Sequence, residues 1–183
     1  MSQRIVLVGL SHHTAPVAVR ERVAFADGRL EPALRGLVSL PGVNEGVIVS
    51  TCNRVEVVAC GRDPDTVAAE LPTFLADAHR LGTNELASSL YTHRDREAVR
   101  HLFRVAASLD SMVVGEPQIL GQMKEHYAAA AAVGASGRVL HRCFHKSFSA
   151  MPVSLRMRFA TENDLWKQRW STRPEAPTAA AAA

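Results

Sequence analysis

Two β-branched runs, Val47-Ile48-Val49 and Val55-Glu56-Val57-Val58, flank the polar segment Ser50-Thr51-Cys52-Asn53-Arg54. Runs of this composition read as strands, and so short a link joins them as an antiparallel hairpin. Asparagine tolerates a left-handed turn, which suits Asn53 to the tip. A cysteine at such a tip is reachable by a substrate, unlike most free thiols, which are buried. A guanidinium beside a thiol favours its reactive form in general, and Arg54 also suits a carboxylate. A polar turn with an incidental cysteine accounts for the same residues. The rest of the chain has to decide.

Arg4 to Leu10 is a nearly continuous apolar run and reads as a buried first strand. Pro16 suits the first turn of a helix capped near Ser11 or Thr14 and continuing to Phe25. Asp27 reads as the cap of a second helix, with Leu30, Leu34 and Leu37 on one face, closed by Pro41-Gly42. After the hairpin, Gly61-Arg62-Asp63-Pro64 opens a helix that Pro72 kinks or divides. Ser89 to Tyr91 reads as a short fourth strand, and Arg96 to Ser108 has strong helical periodicity. The order βαββαβ is the split-βαβ layout of a ferredoxin-like α+β domain, with additional helices after it.

A second polar stretch lies in Leu109 to Gln122. Gly115-Glu116-Pro117 reads as a helix start, and Gln118 and Gln122 share one face of that helix. Asp110, Ser111, Glu116, Gln118 and Gln122 thus converge on one helix entrance. Capping explains Asp110 and Glu116, and solvent exposure is the plain account of the glutamines. A further helix from about Val139 to Phe148 carries His141, Cys143 and His145. Two histidines four apart suit a metal, but an amphipathic surface explains them without one.

The chain has 183 residues, 47% hydrophobic and 21% charged, with a net charge of +3. That suits one domain with an appendage and permits, without requiring, contact with a nucleic acid. Cys52, Cys60 and Cys143 are odd in number and form no CxxC pair, which fits a reducing, cytoplasmic setting. No apolar run approaches the length of a membrane span.

Three patterns stand in one order: Gly9-Leu10-Ser11-His12-His13-Thr14-Ala15-Pro16 with Arg20-Glu21; Ser50-Thr51-Cys52-Asn53-Arg54-Val55-Glu56; and His101 with Leu109 to Gln122. Together they resemble the N-terminal catalytic domain of the glutamyl-tRNA reductases, over about residues 3 to 150. The resemblance implies NADPH-dependent reduction of glutamyl-tRNA(Glu) to glutamate-1-semialdehyde, at the entry to tetrapyrrole, porphyrin and haem synthesis. It implies that Cys52 is the nucleophile and that a thioester forms as the tRNA hydroxyl leaves. It implies that Thr51, Asn53 and Arg54 belong to the substrate turn, with Arg54 paired to the glutamyl side-chain carboxylate. Ser111, Glu116, Pro117, Gln118 and Gln122 match the substrate-contacting set. His101 matches a position important for activity, as proton donor or substrate orienter. His12 and His13 lie in a family motif without an implied role, and taken alone read as a structural turn.

The family's longer chains imply a homodimer, an NADPH-binding Rossmann domain and glutamate-1-semialdehyde aminomutase as a partner. A dinucleotide fold needs a glycine-rich turn, and no glycine follows Gly137. Residues 151–183 are therefore expected to be a non-homologous, poorly ordered tail, from a frameshift or in a natural stand-alone form. The chain itself is expected to be monomeric and to lack a cofactor site. The expected activity then ends at the acyl-enzyme, draining slowly to water. A glutamyl-tRNA-binding module without turnover, or a His/Cys metal protein, are the competing readings.

Overall fold

The computed structural model describes residues 3–26, 28–111 and 117–149. They form β1 (Arg4–Ser11), α1 (Val17–Arg22), α2 (Leu30–Leu37), β2 (Val43–Ser50) and β3 (Arg54–Gly61). Next come α3 (Pro64–Ala78), α4 (Thr83–Ala87), β4 (Tyr91–Arg94), α5 (Asp95–Ala106), α6 (Pro117–Ala132) and α7 (Arg138–Ser149). The four strands make one sheet in the order β2-β3-β1-β4, every neighbouring pair antiparallel. This is a mixed fold of helices on an antiparallel sheet.

β3 is buried at all eight positions and β1 at seven of eight. Strands that bury consecutive residues are covered on both faces, which is why their sequences run apolar rather than alternating. The apolar sides of the helices supply that cover: Leu34 and Leu37 from α2, Val67, Leu71 and Leu75 from α3, and Leu102 and Val105 from α5. Asp63 caps α3 by accepting from the Asp65 amide at 3.0 Å, and Pro64 opens that helix. Pro72 lies inside α3 without ending it.

Several boundaries differ from the sequence expectation. The first helix ends at Arg22, short of Phe25, and its N-cap is Pro16, with no side-chain cap. Ser11 and Thr14 instead brace the turn itself: the Ser11 amide donates to Thr14 Oγ1 at 3.1 Å and the His13 amide to Ser11 Oγ at 3.3 Å. The fourth strand runs from Tyr91 to Arg94, two residues later than expected at its start, because Ser89 and Leu90 close the turn after α4 by bonding to the Leu86 carbonyl. Asp27, Gly115 and Glu116 lie outside the described residues, as does the expected tail.

The far edge of the sheet is tied to α7 by one carboxylate. A register shift between Val43 and Glu45 turns Glu45 inward, where it accepts from the amides of Val139 at 3.1 Å and Leu140 at 2.7 Å. These are orphan donors at a helix N-terminus, and an anion there also meets the favourable end of the helix dipole. A Cβ on Gly137 would lie 2.6 Å from Cδ of Glu45, so a side chain there would displace the carboxylate from these amides.

Candidate functional site

The β2–β3 hairpin closes over Cys52 and Asn53. The Thr51 amide donates to the Arg54 carbonyl at 2.8 Å, while Thr51 Oγ1 accepts from the amides of Asn53 and Arg54, both at 3.2 Å. A side-chain hydroxyl thus satisfies donors at the tip of the turn. Among the described residues, positive φ outside glycine falls at Arg80, Asp95 and Ser108, so Asn53 is not left-handed as expected. The threonine hydroxyl bonds hold the turn instead. Cys52 is exposed, whereas Thr51 and Asn53 are buried on either side of it.

The tip is also held from outside. Arg20 of α1 donates to the Cys52 carbonyl at 3.2 Å and to Asn53 Oδ1 at 3.4 Å. The His12 amide, just past β1, donates to the Asn53 carbonyl at 2.9 Å. These bonds explain why the β1–α1 turn and Arg20 accompany the cysteine segment in sequence: they fix its backbone.

Beneath the tip lies a buried charge cluster. Arg54 and Glu56 have no exposed side-chain surface, and the Arg54 guanidinium meets Glu56 Oε1 at 2.8 Å. It also bonds Asp110 Oδ2 at 3.1 Å and the Asp110 backbone carbonyl. Two internal carboxylates therefore occupy the group expected to grip a substrate carboxylate. His101 of α5 places Nε2 2.7 Å from Glu56 Oε1, and Tyr91 of β4 donates its hydroxyl to the same oxygen. Asp110 also faces His13 at 3.3 Å.

The electrostatics follow from that packing. Burial disfavours the Glu56 carboxylate, but the His101 hydrogen bond, the Arg54 charge and the Tyr91 hydroxyl outweigh it and hold the carboxyl pKa at about 2. Burial likewise opposes the Asp110 charge, and Arg54 overrides it to lower that carboxyl. The Arg54 guanidinium, disfavoured by burial, is raised by Glu56, Tyr91 and Asp110. Tyr91 is pushed up by burial and by Glu56, so it stays a neutral donor. His12 is lowered by burial first and then by His13 and Arg54, which keeps it neutral near pH 7. A buried ion pair of this kind is costly to break by removing one partner.

The described part of the second polar stretch lies partly in this region. Ser111 is half-buried next to Asp110, and its Oγ is shielded with no hydrogen-bond partner. Pro117 opens α6, Gln118 is exposed, and Gln122 is half-buried with a shielded, unpartnered Oε1. His12 Nδ1 is a third such atom. Buried polar atoms are normally paired, and in the charge cluster Arg54 Nε and Glu56 Oε2 lack a partner as well.

Sequence reasoning passed over Glu56 and Tyr91 as site residues. Glu56 had a signal, since a carboxylate in the middle of an apolar strand has to be paired. Tyr91 had none. On α7, Cys143 is buried while His141 and His145 are exposed, and Nδ1 of His141 meets the Tyr127 hydroxyl. Among the described residues no group of three or more His, Cys, Asp or Glu side chains is placed to hold a metal.

The described strand-to-helix turns do not suit a dinucleotide. Ser11 to Pro16 contains no glycine, and β4 passes into α5 without a loop. Between β3 and α3 the sole glycine, Gly61, faces protein: a Cβ there would lie 2.1 Å from the Gly42 carbonyl oxygen. A dinucleotide cradle needs glycines that open the backbone to pyrophosphate. No described helix is long and apolar enough to cross a membrane.

The chain is similar to known proteins in sequence and in fold. A glutamyl-tRNA reductase of Pelobacter propionicus is 55% identical over 157 residues, 86% of this chain and 35% of the relative. One from Syntrophotalea carbinolica is 50% identical over 79% of this chain and 33% of its own length. The solved glutamyl-tRNA reductase of Methanopyrus kandleri superposes with a TM-score of 0.63 at 35% identity, covering 79% of this chain and 32% of that one. The chain thus spans about 35% of the length of the curated relatives it matches. Residues 8–167 match the family described as glutamyl-tRNAGlu reductase, N-terminal domain, continuing past residue 150, where the sequence resemblance was expected to stop. With a cysteine-tipped hairpin over a buried Arg–Glu–His cluster and that match across most of its length, the chain belongs to the glutamyl-tRNA reductase family through its N-terminal domain.

Proposed function

We propose that this chain performs the acyl-transfer half of glutamyl-tRNA reduction. The Cys52 thiolate attacks the ester carbonyl of glutamyl-tRNA, the tRNA terminal hydroxyl leaves with a proton, and a glutamyl thioester remains on sulfur. The observation that carries this reading is the exposed Cys52 on a turn whose backbone is fixed by Thr51 and Arg20. Thr51, Asn53, Ser111, Glu116, Pro117, Gln118 and Gln122 form the proposed contact set for the glutamyl group. The unpartnered oxygens of Ser111 and Gln122 support it. Arg54 acts from beneath, holding Asp110 and the hairpin in register, and His101 orients the site against Glu56. A thioester accepts hydride more readily than an ester, which is the use the NADPH-dependent reaction of the family makes of it. With no described turn suited to a dinucleotide, the proposal stops at the acyl-enzyme, which water then empties slowly.

The ferredoxin-like reading of the sheet is supported by the order β2-β3-β1-β4, which two interleaved split βαβ units produce. The proposed catalytic domain ends near residue 150, with residues 151–183 as a tail, and the family match runs on to residue 167. A place in tetrapyrrole synthesis, a cytoplasmic location and a monomeric state complete it. Dimer formation and aminomutase contact are assigned to the longer relatives.

Incubation with glutamyl-tRNA radiolabelled in the glutamyl group tests the reading. Wild type is expected to carry acid-stable label that a Cys52→Ala variant lacks. Label retained equally by Cys52→Ala would sink the idea. No label on wild type, with tRNA binding intact, would make the chain a binding module.

A further inference from the structure

Two neighbouring helices each carry a positive outer face. α5 exposes Arg96, Arg100 and Arg104, and α7 exposes Arg138, Arg142 and Lys146, each set at four-residue spacing. The opposite sides of these helices are buried, through Ala98, Leu102, Val105 and Ala106 on α5 and Leu140, Cys143, Phe144 and Ser147 on α7. Each cationic stripe is therefore the solvent side of an amphipathic helix. The two helices that carry the stripes pack against one another.

Acidic groups are scarce on this face. α7 contains no Asp or Glu; of the two on α5, Asp95 is held by Arg4, which leaves Glu97 as its exposed carboxylate. Arg4, Arg22 and Arg94 each meet a carboxylate, but none of the six stripe cations forms an ion pair with a described residue. These six cations are set against a net charge of only +3 for the whole chain. Cations about 6 Å apart along two helix axes, with no ion pair among the described residues, form a ladder for a repeating anion. Such contacts position a nucleic acid without reading its bases.

The same helix joins this face to the reactive site. Between Arg100 and Arg104, α5 turns His101 inward onto Glu56, and the loop after α5 delivers Asp110 to Arg54. A strand lying along α5 thus borders the cluster under Cys52.

We propose that the outer face of α5 and α7 holds the phosphate backbone of the RNA whose aminoacyl end is presented to Cys52. This rests on the acyl-transfer reading above. The arginines supply forked donors to phosphate oxygens, and counterion release supplies the affinity.

Binding of fluorescently labelled glutamyl-tRNA and uncharged tRNA, measured across a potassium chloride series, tests the assignment. Arg100→Glu/Arg104→Glu and Arg142→Glu/Lys146→Glu are each expected to weaken binding at least tenfold for both RNAs. Each pair should also flatten the dependence of log affinity on log salt by roughly one to two units. Arg35→Glu, an exposed arginine on α2, is the control and should leave both quantities unchanged. Circular dichroism and the rate of Cys52 alkylation by iodoacetamide should match wild type in all variants, excluding misfolding. Wild-type binding that survives both double variants overturns the assignment and leaves the acyl-transfer reading standing. Loss of binding to phosphatidylglycerol vesicles without loss of tRNA binding makes the face a membrane surface and also overturns it. Wild type that neither binds tRNA nor acquires a glutamyl label removes the reading on which the assignment rests, and the assignment with it.

Discussion

Tyr91 on β4 donates its hydroxyl to Glu56 on β3, although β1 lies between the two strands. The bond is possible because the residue of β1 in register with both is Gly9. A side chain at position 9 would stand between them: a Cβ there lies 2.6 Å from the Val55 carbonyl oxygen and 2.7 Å from Cγ of Glu56. One missing side chain in the central sheet thus makes room for the carboxylate that organises Arg54 and His101.

Gly9→Ala is therefore expected to destabilise the chain by about 2 kcal/mol or more, the range of overpacking in a filled core. Gly121 in α6 gives the contrast, since nothing lies within 4 Å of its Cβ position. Gly121→Ala should instead stabilise by roughly 0.5–1 kcal/mol through helix propensity. Urea unfolding of the two variants checks both signs.

Glu56 predicts an acid limb of stability. Its carboxyl stands at about 2 in the folded chain against an ordinary value of 4.5. A lowered folded value stabilises fully above pH 4.5, and that contribution fades as pH falls toward 2. The difference corresponds to roughly 3 kcal/mol. Glu56→Gln should lose about that much at pH 7, where Arg54 is left with Asp110 alone, and should converge on wild type near pH 2. Parallel curves for the two proteins across this range would contradict the assignment.

The hairpin and its cysteine were legible because β-branched runs around a polar tip admit few alternatives. The first strand and the helices at Pro64, Arg96 and about Val139 were legible from periodicity and caps. The fourth strand was placed too early because Tyr91 to Arg94 alternates weakly and owes its pairing to β1. The role of Arg54 was hardest to read. A guanidinium next to a thiol looks like a substrate grip, and only the return of Glu56 and Asp110 in three dimensions fills it. Local sequence names the residue types at a site; pairing across strands decides which are free.

Glu45 predicts a local effect at the far edge of the sheet. Glu45→Ala removes the acceptor for the Val139 and Leu140 amides and should cost about 1–2 kcal/mol, as loss of a helix cap does. Hydrogen exchange at those two amides should accelerate well beyond that of the β1 amides. Uniform acceleration across the sheet would mean that Glu45 supports the whole fold and not this junction.

The three cysteines should separate by chemistry. Cys60 is buried in the sheet, and burial, aided by Glu45, pushes its thiol up to about 12; burial pushes Cys143 up to about 11. Neither forms an appreciable thiolate at pH 8, and both are shielded, whereas Cys52 is exposed. Iodoacetamide at pH 8 should thus add one carbamidomethyl group to the native chain, located on Cys52 by peptide mass analysis, and three after urea denaturation. Native Cys52→Ala should resist the reagent on the same timescale. Modification of Cys60 or Cys143 at a rate matching Cys52 would show that the sheet and α7 open far more readily than their packing allows, and the selectivity argued for the hairpin tip would fail.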